Sequence, residues 1–330
     1  KESEVRFVGG CVRKAICGEN IDDIDLATSL EPDEVKKRLN KEAIKVIDTG
    51  IPYGTVTAIL NKKKFEITTL RKDVSTDGRH ANVEFTSNWE QDASRRDFTI
   101  NAIYADIDGR IFDPLNGISD LQNGKIKFIG LSEKRIQEDY LRILRYFRFF
   151  TQYSKTDYDQ DIIRSIKQYI NGLNKISNER ILDELKKILT LKNAYSLFSQ
   201  NTPKEIILNI FPQFKYYERL KIINILDQKL RDKYDNHLIL ALLIVDQSNN
   251  YEYFCHKYKT SNSIKNRFKN ISKNFENLKS KKFYSKENIK KLIYLSSKDD
   301  VRDLLFFSIC ASNQIETLSI EKLIDYVSTC

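Results

Sequence analysis

Val8 to Thr28 reads V-G-G-C-V-R-K-A-I-C-G-E-N-I-D-D-I-D-L-A-T. A strand is expected at Val5 to Val8, after which Gly9 and Gly10 let the backbone turn sharply and approach a ligand with no Cβ in the way. Arg13 follows in the first turn of the helix that Val12, Ala15 and Ile16 suggest, so backbone N–H groups and a guanidinium face one anion. Asp23 and Asp25, two apart on an expected strand, project from one face and repel unless a cation sits between them. Carboxylates opposite a phosphate site suit Mg²⁺, which takes one or two protein carboxylates together with phosphate oxygens. Gly-Gly alone is usually a turn, and an isolated D-x-D usually a solvated strand face. Within one β-α-β span all three parts serve one triphosphate, and G-G-x-x-R is not the G-x-G-x-x-G of dinucleotide-binding folds.

Two later strings add to this. Arg95 to Ala102 reads R-R-D-F-T-I-N-A. Arg95 and Arg96 supply ten guanidinium donors beside Asp97, enough for a triphosphate while the acid orients one arginine, and Asn101 can hydrogen-bond a ribose hydroxyl. Glu133 to Phe150 is expected as one helix with Ile136, Ile143, Leu144 and Phe147 as its core stripe. Asp139 and Arg142 then stand i,i+3 on another face. A surface salt bridge there is worth a few tenths of a kcal/mol, but a carboxylate and a guanidinium at fixed spacing also match a base edge.

In this order the strings resemble the nucleotidyltransferase superfamily, specifically the class II tRNA nucleotidyltransferases (CCA-adding enzymes) and bacterial poly(A) polymerases. The resemblance runs from Phe7 to Leu189 and fades beyond it. It implies an α+β palm-like head followed by an all-α neck, body and tail, with bounds at 1–130, 131–190, 191–258 and 259–330. It implies addition of C, C and A to the 3′ end of tRNA from CTP and ATP. Asp23 and Asp25 would be catalytic and hold two Mg²⁺. Gly9, Gly10, Arg13, Arg96, Asp97 and Asn101 would bind the nucleotide. Asp139 and Arg142 would act as an amino-acid template for C and A, with Arg145 and Arg148 contributing nucleotide or primer contacts. F-E-I-T-T-L-R (Phe65 to Arg71) with D-G-R-H-A (Asp77 to Ala81) looks especially like mitochondrial-type enzymes and their bacterial relatives. F-D-P-L-N-G-I-S-D-L (Phe112 to Leu121) resembles a structural joint, and I-S-N-E-R-I-L-D-E-L-K-K-I-L (Ile176 to Leu189) the neck helix.

Between the motifs, Ser29 is expected to cap a helix that has Pro32 in its first turn and buries Val35 and Leu39. Ile44 to Ile47, Thr55 to Leu60 and Lys64 to Thr69 read as strands, the last carrying Glu66 as a candidate third carboxylate. Arg71 to Glu84 reads as a mobile loop, which in the family is associated with completing the terminal A. Asp108-Gly109 signals a hairpin between Ile103 to Ile107 and Arg110 to Phe112.

Composition agrees with a two-part chain of two to four domains. Ten of eleven glycines lie at or before Gly130, and none follows Gly172, so a turn-rich α+β part precedes a helical one. No apolar run approaches a membrane span. The five cysteines (11, 17, 255, 310 and 330) form no C-x-x-C, which suits a reducing compartment. The three histidines leave zinc or His-triad chemistry little material. Lys1-Glu2-Ser3-Glu4 is no secretory signal, so a cytoplasmic protein is expected, or an organellar one if a targeting segment was removed. Of 55 Lys and Arg and 46 Asp and Glu, eleven bases and two acids fall between Lys259 and Lys291, which leaves 44 of each sign elsewhere. That whole excess of +9 in one segment points to a polyanion. Rival readings are an A-adding or CC-adding partial enzyme, a poly(A) polymerase, and a catalytically silent RNA-binding protein. The basic G-R-R-F-type segment usual in the poly(A) enzymes is absent between Ala43 and Leu60, and nothing in the acids or the R-R-D string indicates decay.

Overall fold

β-Branched residues build the strands that carry Asp25 and Glu66. In chain order, the computed structural model places β1 at Val5–Val8, α1 at Gly10–Ile16, β2 at Ile24–Thr28, α2 at Pro32–Lys41, β3 at Lys45–Gly50, β4 at Thr55–Leu60 and β5 at Lys63–Thr69. It describes residues 5–76, 81–312 and 316–329. Two short strands, β8 (Tyr104–Ala105) and β9 (Ile111–Phe112), follow a hairpin β6 (Arg71–Thr76) and β7 (Ala81–Phe85) and the helix α3 (Trp89–Ser94). The main sheet runs β3-β4-β5-β2-β1-β8-β9, in which β2 and β5 are parallel and the other pairs antiparallel. Val35 of α2 packs with Val56, Ala58 and Ile67, while Val8, Ala27, Leu70, Ala93 and Tyr104 form a second cluster towards α3.

Three expectations need correction here. Ser29 does not cap α2: Glu31 holds that position, Pro32 pre-sets the first helical φ, and Asp33 and Glu34 favour the helix start. Of the expected loop Arg71 to Glu84, the described residues are not loop but the paired strands β6 and β7, in which Lys72 stands opposite Glu84 with a 3.1 Å ion pair. Cross-strand pairing satisfies the backbone of a segment too polar to bury. Asp77 to His80 lie outside the described residues. The helix expected over Glu133 to Phe150 is two helices, α5 (Ser132–Glu138) and α6 (Arg142–Tyr153), after α4 (Gly117–Gln122). Asp139 interrupts it in an extended conformation (φ −154°, ψ 104°), its Oδ1 accepting the Leu141 N–H at 3.1 Å. Short polar side chains that bond their own backbone compete with helix continuation in this way.

The chain divides into two compact units, 1–176 and 177–330, at a point inside the expected neck. α7 (Gln160–Tyr169) and the 3₁₀ segment Ile170–Lys175 close the helical part of the first unit. The second is wholly helical among its described residues: α8 (Asn178–Leu189), α9 (Ser196–Ser199), α10 (Asn201–Ile210), α11 (Arg219–Ile225), α12 (Gln228–Arg231), α13 (Asn236–Ile244), α14 (Asn250–Lys257), α15 (Asn262–Asn274), α16 (Lys286–Leu295), α17 (Lys298–Ala311) and α18 (Thr317–Thr329). Ser177 caps α8 through the Arg180 N–H. Leu238 to Ile244 of α13 are all buried, as befits a helix apolar around its whole circumference. Among the described residues no helix is long and apolar enough to cross a membrane.

The joint at Phe112 to Leu121 fixes the turn that carries Asn101. Asp113 accepts the Gly117 and Ile118 N–H groups at 2.8 and 2.9 Å, and Asp120 accepts the Thr99 hydroxyl at 2.9 Å. Gly117 passes so close beneath the 3₁₀ turn Thr99–Asn101 that a Cβ there would lie 2.2 Å from the Thr99 carbonyl oxygen. Backbone cannot give way as a side chain would. Gly117→Ala is therefore expected to destabilise the first unit by about 1–3 kcal/mol, read as a lower urea midpoint. An unchanged midpoint would show the joint to be slack.

Candidate functional site

Gly9 has φ +73°, a backbone that side chains rarely adopt, and a Cβ there would lie 3.6 Å from Arg96 Nη1. At Gly10 the same atom would lie 3.9 Å from Arg13 Nη2. Two guanidiniums from separate elements thus face the Gly-Gly turn. Arg13 is buried on α1 with its guanidinium over the rings of Phe149 (4.7 Å) and Tyr153 (5.2 Å), and its Nη1 donates to Asn101 Oδ1.

Asn101 hands this contact on, donating from Nδ2 to Asp97 Oδ1 at 2.8 Å. Asp97 also accepts its neighbouring Phe98 N–H at 2.9 Å and, on Oδ2, Arg145 Nε at 2.7 Å. Burial opposes ionisation of Asp97, but Arg145, Asn101 and Arg142 together hold its carboxyl well below the usual range. The expectation that Asp97 orients Arg95 or Arg96 is thereby corrected: its arginine is Arg145. Arg145 and Arg148 lie over Phe149 at 5.4 and 4.1 Å, so three arginines share one ring that is 1% exposed.

Asp92 does what was expected of Asp97. Its Oδ2 accepts Arg96 Nη2 at 3.0 Å and the Tyr104 hydroxyl at 2.7 Å, and its Oδ1 accepts Arg95 Nε at 2.9 Å. Burial again pushes its pKa up, yet Arg96 and Arg95 bring it down to about 2. Asp92 was missed in the sequence, although it stands i,i+3 and i,i+4 from the two arginines, the spacing of a helical ion pair.

Asp25 lies on β2, whereas Asp23 is exposed just ahead of that strand, a correction to the expected shared strand. The parallel partner of Asp25 is Glu66 on β5, and directly paired residues point to the same sheet face. The Asp25 pKa is raised by burial first and then by Glu66 and Asp23, with Arg96 opposing them. Carboxylates that repel in this way are a donor set a divalent cation would relieve. Among the described residues no three His, Cys, Asp or Glu converge into an all-protein metal cage, an arrangement Mg²⁺ does not require when phosphate oxygens complete its shell.

Asp139 and Arg142 flank the helix break and so do not share a helix face, another correction. Arg142 Nη1 donates to Glu138 Oε2 at 2.6 Å and to the Arg135 carbonyl at 2.8 Å. Glu138 also accepts Arg135 Nη1 at 2.7 Å, and Arg135 Nη2 donates to the Arg95 and Arg96 carbonyls. Glu138 and Arg135 were likewise not singled out in the sequence.

Comparison with known proteins places this geometry among relatives. Residues 5–127 match the poly A polymerase head domain, and residues 158–217 the domain described as the probable RNA and SrmB-binding site of polymerase A. The mitochondrial CCA tRNA nucleotidyltransferase 1 of Mus musculus is 48% identical over 190 residues, 57% of this chain and 44% of that protein. The CCA-adding enzyme of Streptococcus sanguinis (strain SK36) is 35% identical over 266 residues, 78% of this chain and 64% of that protein. The chain thus spans about half the length of the curated relatives it matches. In fold it is similar to the Bacillus stearothermophilus CCA-adding enzyme solved with CTP, with a TM-score of 0.76, 24% identity, and coverage of 99% of this chain and 78% of that one.

Acid should reveal the Asp92 ion pairs. A carboxylate whose folded pKa is depressed from 3.8 to about 2 contributes its stability in full above pH 4 and loses it as pH falls towards 2. That contribution is on the order of 2 kcal/mol. Urea unfolding of Asp92→Asn should show a large deficit at pH 5 that shrinks towards pH 2, and a deficit independent of pH would contradict the ionised pairing.

Proposed function

The chain belongs to the tRNA nucleotidyltransferase and poly(A) polymerase family, and from that premise we propose that it adds C, C and A to the 3′ end of tRNA, using CTP and ATP without a nucleic-acid template. The observation that carries this is the convergence of Arg13 and Arg96 on the Gly9-Gly10 turn, with Arg96 also acting on Asp25 of the neighbouring acid pair Asp25 and Glu66 on β2 and β5. Triphosphate oxygens would take the free guanidinium N–H groups and the open face of the turn. Asn101 keeps a second amide N–H for the ribose. Asp97 and Asp92 hold the arginines that do the binding.

The primer 3′-oxygen forms a bond to the α-phosphorus as the α–β phosphoanhydride bond breaks, and pyrophosphate leaves with its charge against Arg13 and Arg96. Mg²⁺, held by Asp23 and Asp25, would supply activation of the 3′-hydroxyl and neutralisation of the leaving pyrophosphate. Asp139 and Arg142 would select the base, and Arg145 and Arg148 would meet the nucleotide or primer. The presence of the Arg71 to Glu84 sequence supports full CCA addition over CC addition alone. The mouse relative is named as mitochondrial, which suits an organellar address as well as a cytoplasmic one.

For the tRNA we propose the lysine-rich surface of the second unit. Lys265, Lys269 and Lys273 recur every four residues along α15, and Lys286 and Lys290 do so on α16, all of them exposed. Arg267 does not contribute, since Asp303 and Asp235 take its guanidinium. Tyr294, 89% exposed, continues the α16 stripe one turn further. Aromatic rings at the end of a lysine row are suited to stacking on a base.

Two outcomes are expected. Asp25→Ala should lower single-nucleotide incorporation from both CTP and ATP at least ~10³-fold while tRNA binding by filter retention persists; substantial residual activity would remove the acid from catalysis. Replacing Lys265, Lys269, Lys286 and Lys290 by Gln should weaken tRNA binding and flatten its dependence on salt. Were affinity and salt slope both to stay put, these lysines would be solvated surface only.

A further inference from the structure

The two oxygens of Asp92 reach two different parts of the first unit. Oδ2 takes Arg96 and the Tyr104 hydroxyl, and Tyr104 in turn accepts Arg96 Nε at 3.1 Å. Oδ1 takes Arg95 and also the backbone N–H of Arg71 at 3.3 Å. Arg71 is the first residue of β6, where the hairpin leaves the body of the unit.

That root is held at further points. Arg71 Nη1 donates to the Tyr53 carbonyl, and the Thr86 N–H donates to the Leu70 carbonyl at 2.9 Å. The ring of Phe85, the last residue of β7, sits against Gly54, where a Cβ would stand 2.8 Å from it. One carboxylate, 1% exposed, therefore spans from the hairpin root to the guanidinium that faces Gly9. A buried charge tolerates the loss of a donor poorly. If the root moves and withdraws the Arg71 N–H, the carboxylate shifts to recover a donor, and Arg96 and Tyr104 shift with it.

We propose that Asp92 is a positioning residue that couples the β6–β7 hairpin to the nucleotide, setting Arg96 against the triphosphate according to where the hairpin root lies. The proposal rests on the nucleotidyl-transfer reading above. Because Arg96 faces phosphate rather than base, this route through Asp92 acts on every nucleotide alike and is separate from the selective role of the same segment in adding the terminal A. It differs in this from Arg142, whose neighbourhood is the helix break.

The test uses the full chain, tRNA lacking its 3′ end, and steady-state kinetics for all four nucleoside triphosphates. Asp92→Asn should raise KM for CTP and ATP by about 10- to 100-fold, the range of one or two charge-assisted hydrogen bonds, with a smaller fall in kcat and unchanged ratios between nucleotides. Tyr104→Phe, a milder change, should move KM in the same direction by a few-fold. Phe85→Ala, which loosens the root from outside the site, should raise KM in the parent and add nothing in the Asp92→Asn background. A merely structural Asp92 would lower the melting temperature and the active fraction and leave KM in place. Unmoved KM in folded Asp92→Asn and Tyr104→Phe, or independent effects of Phe85→Ala and Asp92→Asn, would overturn the coupling. If Asp92→Asn does not fold, the same cycle with Tyr104→Phe decides. A parent chain that incorporates no nucleotide would sink the underlying reading and this proposal together, whereas an active parent with unmoved KM sinks this proposal alone.

Discussion

The site depends on one buried carboxylate, Asp97, which keeps like charges together that would otherwise separate. Arg13, Arg145 and Arg148 all lie within 5.4 Å of the Phe149 ring centre, on the first helix, α1, and on a helix more than 120 residues later, α6. The ring face attracts each cation modestly, but it does nothing to offset their mutual repulsion. Asp97 does, directly at Arg145 and through Asn101 at Arg13. Removing one partner of such a buried arrangement typically costs about 3–5 kcal/mol.

The acids of the first unit divide into two kinds. Asp92 and Asp97 are surrounded by guanidiniums that outweigh burial and hold them ionised. Asp25 is surrounded by burial and by other carboxylates, which push its pKa up. Paired acids position cations, and an acid crowded by like charge is one whose charge awaits a ligand. Arg96 joins the two kinds, since it is held by Asp92 and also attenuates the field at Asp25. A triphosphate arriving at Gly9-Gly10 would draw on the same guanidinium, so the proposed anion and cation sites are electrostatically linked.

Local chemistry made much of this legible in the sequence. β1, β4, the Gly-Gly turn and the neck helix follow from β-branched runs, glycine and helical periodicity, whose effects act within a few positions. What was illegible depended on competition or distance. Asp139 looks like a helix residue by periodicity, yet its side chain wins the Leu141 N–H and ends the helix. The hairpin at Arg71 looks like a loop by polarity, and only cross-strand pairing reveals otherwise. Asp97 was paired in expectation with its sequence neighbours because nothing local announces that Arg145, 48 residues on, takes it. Asp92 did carry a local signal in its spacing to Arg95 and Arg96, overshadowed by the acid next to them.

The Gly9-Gly10 turn is the proposed seat of a triphosphate clasped by Arg13 and Arg96. A crystal structure of the chain with CTP and Mg²⁺ tests this most directly. The account predicts phosphate oxygens within hydrogen-bond distance of both guanidiniums, metal at Asp23 and Asp25, and the cytosine towards the helix break at Asp139 and Arg142. A triphosphate bound elsewhere, with Arg13 and Arg96 still held by Asn101 and Asp92 and touching no phosphate, would contradict it.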